Sequence, residues 1–168
     1  MRPRIAALSL ALMSAAAMAQ LVTPDPDWRE VEAPPPPALQ VQGVVPLEMP
    51  QSGLRFGVQP GSISIGKDGI VRYVVVATST TGAVNAMYEG LRCDRGEVRT
   101  YARHDPVKGW IEVDTQWRSL FDGSNVVRHS LAIARTGACI GHSANGSPAQ
   151  IVRDLRNPAA ERFRSEYR

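Results

Sequence analysis

The chain has 168 residues, with 19 basic against 16 acidic side chains, 13 prolines and two cysteines. A formal charge of only +3 excludes the dense basic surface that nucleic-acid binding needs. The length suffices for one domain with a real core.

Residues 1–19, MRPRIAALSLALMSAAAMA, read as a cleavable secretory leader. Arg2 and Arg4 form the basic end, Ile5 to Met13 the apolar run, and Ala17-Met18-Ala19 the small-residue cleavage site. The apolar run is well short of the roughly 20 residues that span a bilayer. Cleavage before Gln20 removes two arginines and leaves a net charge near +1. No cysteine stands just after the apolar run, where a bacterial lipidation signal would place one, so the expected product is an unlipidated periplasmic protein with no remaining membrane span.

Residues 20–40 form a proline-rich arm, with six prolines between Thr23 and Ala38 and no apolar period of 2 or 3.6. Such a segment is expected to be extended and polyproline-like. Trp28 interrupts it and is expected to dock. The favoured reading makes it a clip onto its own domain; the other makes it the binding residue that fills a partner's pocket.

A single domain is expected over residues 41–157, where short β-rich runs recur between turn signals. Gly66-Lys67-Asp68-Gly69 predicts a hairpin after Ser62–Ile65. Ile70–Ala77 is almost continuously β-branched or aromatic, the pattern of a strand buried on both faces. Further strands are expected at Val84–Cys93, Glu97–His104, Trp110–Val113 and Trp117–Leu120. In Glu97–His104 simple alternation puts Glu97, Arg99, Tyr101 and Arg103 on a wet face and Val98, Thr100, Ala102 and His104 on a sheltered one. A helix should follow Asn125, its natural N-cap, with Val127, Leu131, Ala134 and Ala138 on one stripe and Gly137 as its stop. A second is signed by Ser147-Pro148-Ala149-Gln150, a cap, a proline in the first turn and a capping-box residue, and ends at Asn157-Pro158. Residues 158–168 read as a charged tail. Strands first and helices afterwards predict an α+β fold, an antiparallel meander of five or six strands with both helices on one face.

Cys93 and Cys139 are an isolated pair in an exported chain, and so predict a disulfide rather than a metal or redox motif. The catalytic inventory is thin. His104, His129 and His142 lack the i,i+4 pairing of a compact zinc site, and no G-x-S-x-G turn presents a serine. Neither a metal nor a cofactor is expected. Glu89 is the one carboxylate whose surroundings merit inspection, as a general acid or, in the plainer reading, as the partner of Arg92 or Arg72 in an edge salt bridge.

Several stretches, Asp27-Trp28 before a proline run, VVPLEMP at Val44–Pro50, LRFGV at Leu54–Val58, IVRYVVVATSTTGAVNAMYEGLRC at Ile70–Cys93 and IVRDLR at Ile151–Arg156, resemble the cryptic neisserial protein-like family of small exported proteobacterial proteins. That resemblance implies an envelope location and one domain, and carries no activity, cofactor or site residue. The residues therefore point to a non-enzymatic binding or envelope-assembly module that meets an envelope protein through the arm or a sheet edge. The alternatives are a periplasmic hydrolase using Glu89 or His104 as acid or base, and a small-ligand carrier.

Overall fold

A computed structural model of the chain describes residues 27–49, 52–124 and 127–158. The leader, Asn125 and residues 159–168 of the tail lie outside the described residues.

Among the described residues ten strands and two α-helices follow one another: β1 (Val45–Leu47), β2 (Leu54–Val58), β3 (Ser64–Ile65), β4 (Val71–Ser79), β5 (Val84–Arg92), β6 (Glu97–Asp105), β7 (Gly109–Glu112), β8 (Arg118–Ser119), α1 (Arg128–Ile133), β9 (Cys139–Ile140), β10 (Ser143–Ala144) and α2 (Pro148–Arg156). The large sheet is antiparallel and runs β1-β2-β4-β5-β6-β7. β2 and β3 share one edge of β4, as β7 and β8 share the outer edge of β6. Between β7 and β8 the Thr115 hydroxyl takes the place of a strand, accepting from Thr100 N at 3.1 Å and donating to Thr100 O at 2.7 Å.

The fold is α+β, with a few more strands than the sequence suggests and both helices on one face. The additions are short: β1, β2 and the β9–β10 hairpin, two residues a strand. Alternation cannot be seen over so few residues.

β4 is buried on both faces, as its β-branched run requires. Val71, Tyr73 and Val75 join the larger core with α1, α2 and Leu91, while Val74 and Val76 join a smaller one with Ala86, Tyr88 and Ala102. What the sequence does not announce is the cover of that second face. It is the proline arm, whose Ala33 and Leu39 pack against the smaller core.

α2 forms as signed, with Ser147 accepting from Gln150 N and proline in the first turn. Gln150 does not complete the capping box by reaching back; its side chain donates to Asp154 instead. The first helix departs from expectation at its end. Gly137 does not stop it, because the chain continues through a π-helical turn, Ala134–Ala138, until Cys139 becomes extended. There Gly137 lies so close to α2 that an added Cβ would meet Leu155 at 2.8 Å, so glycine is required for packing. Cys93 and Cys139 are joined, their Cα atoms 5.7 Å apart, which ties the β5–β6 turn to the strand that follows this π turn.

The predicted alternation of β6 fails at one residue. The β5–β6 register slips between Tyr88 and Glu89: Tyr88 faces Ala102, Glu89 faces Thr100, and Tyr101 is the extra residue of a bulge. Past the bulge the faces exchange, so Arg103 joins Thr100 and Val98 on the helix side while Ala102 turns to the arm side. Gly90 makes room for the bulged ring, since a Cβ there would stand 2.6 Å from the Tyr101 hydroxyl.

Candidate functional site

The arm is held by polar contacts more than by apolar area. Asp68, in the β3–β4 turn, and Arg72, near the start of β4, form an ion pair at 2.7 Å whose side chains are almost wholly sealed. The arm threads this pair: Val31 N donates to Asp68 Oδ2 at 3.0 Å, and Arg72 Nη2 donates to Val31 O at 2.9 Å. Burial alone would raise the Asp68 carboxyl, but bonds from Arg72 and from the Val31 and Ile70 amides outweigh it and hold the group below its ordinary value. Gly66 belongs to the same arrangement, because a Cβ on it would overlap the Asp68 carboxylate and the Arg72 guanidinium.

Trp28 docks on its own domain. Its Nε1 donates to Asp68 O at 2.9 Å and Arg92 lies 3.6 Å over its ring. Next to it Glu30 collects three donors: Arg99 at 2.9 Å, the Tyr101 hydroxyl at 2.8 Å and Trp117 Nε1 at 3.1 Å. Burial, with the bond to Glu30 second, pushes the Tyr101 phenol up. Farther on, Trp110 Nε1 donates to Pro37 O, and the Gln59 amide bonds Ala38 O and Gln40 N.

Between these anchor points Pro34–Pro36 stand off the sheet and wall a groove of about 540 Å³. Tyr88 and Tyr101 lie at its floor, and Glu112, Val113 and Asp114 form the opposite wall. Glu32, Glu112 and Asp114 outnumber its one cation, Arg99, which already pairs with Glu30 and Asp114. β7, the last strand on this side of the sheet, runs beside the groove.

On the helix face Glu89 is 2 % exposed and sits between β4 and α1. The Tyr73 hydroxyl donates to it at 2.9 Å, Ser130 Oγ at 3.1 Å, and His129 Nε2 stands 3.0 Å from Oε1. Phe56 stacks on the imidazole with its centroid 5.2 Å away. Burial opposes the charge on Glu89, yet His129 and the hydroxyl donors overcome it, so the carboxyl is held below its ordinary value. Burial and the Glu89 charge push the Tyr73 phenol well up.

This corrects the edge salt bridge expected for Glu89. Arg72 points to the other face and pairs with Asp68, and Arg92 pairs with Asp94 and Glu97. The partner is His129, supplied by a helix that sequence spacing could not place over β5. A carboxylate kept ionised is a base rather than an acid at neutral pH. Ser130 donates to Glu89 and not to His129, so the three do not form the nucleophile–base relay of a serine hydrolase. His104 is brought to neither group; it lies edge-on to Trp110, 5.2 Å away, on the arm face.

After the β9–β10 hairpin, Asn145 is structural, donating to Gly137 O and Asp154. Among the described residues no group of three or more His, Cys, Asp or Glu converges to hold a metal. Nor is any helix among them long and apolar enough to cross a membrane. Glu30, Asp68 and Arg72 carry the arm, a role that the sequence did not mark: Asp68 read as a turn residue and Arg72 as a partner for Glu89; the one local signal was a hairpin aspartate four residues before a strand arginine.

A family model, the CNP1-like family, matches residues 23–156, which covers the arm, the sheet and both helices. No curated protein sequence and no solved structure matches the chain.

Proposed function

The chain belongs to the CNP1-like family, and we propose that it is an exported periplasmic binding module, not an enzyme, that takes an extended basic segment of an envelope protein into the groove beside its proline arm. We take the family to be the cryptic neisserial protein-like proteins that the sequence resembles. The observation that carries the reading is the groove itself: prolines on one wall, tyrosines beneath, and an acidic rim that is not neutralised by its single arginine. Lysine or arginine side chains suit that rim, and a segment laid beside β7 can add backbone hydrogen bonds to the last strand of the sheet. The disulfide supports an oxidising compartment, as does the leader-like amino terminus. Trp28 serves this reading as the clip that fixes the arm, and the groove takes its place as the contact surface.

Photo-crosslinking in intact cells, with the probe at Glu112, tests it. One dominant envelope protein should be captured, and Glu32→Lys should abolish that adduct while the chain still accumulates. Capture of no specific protein, or an adduct indifferent to Glu32→Lys, overturns the proposal.

A further inference from the structure

The helix face carries a second cavity, independent of the groove. It measures about 150 Å³ and lies between α1 and the β5–β6 bulge. Glu89 and Ser130, both buried, form its inner end; Thr100 and Gln116 line its side; Arg103 and Arg118, both exposed, stand at its mouth, Arg118 paired with Asp122 at 3.5 Å.

Three features make this more than a packing gap. First, an ionised carboxylate offers about four acceptor sites, two on each oxygen, and the protein's donors crowd one oxygen: Tyr73, Ser130 and His129 all reach Glu89 Oε2, while Oε1 receives His129 alone. Oε1 keeps an acceptor site for a further donor. Second, Arg103 has no carboxylate partner among the described residues; the contact of its guanidinium is to the Met87 sulfur at 3.6 Å, a weak acceptor. Third, Arg103 reaches this face only because the Tyr101 bulge reverses the alternation of β6. Bulges that re-aim one side chain are concentrated next to functional sites.

The two ends thus differ in character: inside, a carboxylate oxygen with an acceptor site to spare, and at the mouth an arginine without a carboxylate partner among the described residues. A simple anion would satisfy only the mouth, and a simple amine only the inner end. At about 30 Å³ for each water-sized group, the volume holds about five such groups. We propose that this pocket binds a small zwitterion of the size of glycine or alanine, its ammonium donating to Glu89 and its carboxylate accepting from Arg103, with Arg118 beside it. Pairing both charges recovers what each loses on leaving water, which neither half of the ligand achieves alone.

The test is isothermal titration of the full exported chain with glycine, L-alanine, acetate and glycolate, the last being glycine with a hydroxyl in place of the ammonium. Glycine or L-alanine should bind saturably, glycolate and acetate at least about tenfold more weakly, and Arg103→Gln should weaken the amino acid by about tenfold or more, the loss of one charged hydrogen bond. The glycolate comparison probes the Glu89 end without a substitution in the core, so it holds even if Glu89→Gln fails to fold. Equal binding of glycolate, unchanged binding by Arg103→Gln, or no binding of either amino acid overturns the inference. None of these outcomes touches the groove on the other face.

Discussion

The two faces of one sheet are sealed in different ways. On the helix face a continuous apolar core, with Val71, Tyr73, Val75 and Leu91 beneath Ile133, Ile151 and Leu155, does most of the work, and the Cys93–Cys139 bridge locks the cover in place. On the arm face a segment without regular secondary structure is held by an ion pair, a carboxylate with three donors and a tryptophan under an arginine. Apolar burial is non-directional and distributes its stabilisation over many atoms, whereas the arm depends on a few polar contacts that fail one at a time. The helix face should therefore open only with global unfolding, and the arm face locally, before it.

Removing the bridge is the strongest test of the first half of that contrast. It closes a separation of 46 residues, so Cys93→Ser with Cys139→Ser should cost about 4 kcal/mol on the chain-entropy account, read as a fall in the denaturant midpoint. A loss under about 1 kcal/mol would mean that the apolar core alone fixes the helices. On the arm face Asp68→Ala removes one partner of a sealed pair and strands Arg72, worth about 3 kcal/mol, the lower end for such a break because the arm can lift and admit water. Proteolysis between Glu32 and Gln40 should then become fast, and an arm that stays protected would show that Asp68 is not what holds it.

Each face also hides a carboxylate held below its ordinary value, Glu89 from 4.5 and Asp68 from 3.8. For such a group the unfolded chain binds more protons in the window between the two pKa values, so stability rises with pH there. The contribution of Glu89 is complete above about pH 4.5 and is lost as pH falls through its folded-state value. Glu89→Gln should be less stable than wild type at neutral pH, and the gap should narrow as both are taken below about pH 4.5. The effect is smaller than deletion of a partner, because a protonated or amide side chain still fills the site. Parallel pH profiles for the two proteins would refute the ionised state assigned to Glu89.

What could be read in the sequence followed the same division. β4, the meander, the α2 cap and the disulfide were legible because each has a local cause: a β-branched run, paired turns, Ser147-Pro148, two lone cysteines. The polar arrangements were not, because their partners are far apart in the chain. Glu30 is 69 residues from Arg99, and Glu89 is 40 from His129. The bulge at Tyr101 was hidden too, since one inserted residue leaves composition unchanged yet reverses which face Arg103 occupies. Both candidate sites depend on such events, so the fold was far more visible than either site.

The smallest expected effect decides whether the arm is a separate unit of stability. Trp28→Ala deletes one bond to Asp68 O and the stacking of Arg92, together about 1–2 kcal/mol. If the arm opens by itself, that loss is confined to it. Amide exchange at Val31 and Gln40, whose N–H groups bond Asp68 and Gln59 across the docked arm, should accelerate about tenfold, while Val74 and Tyr88 in β4 and β5 exchange as before. If the strand amides accelerate equally, arm and sheet unfold together. The groove is then a rigid wall rather than a hinged one, and a partner must fit it without lifting the arm.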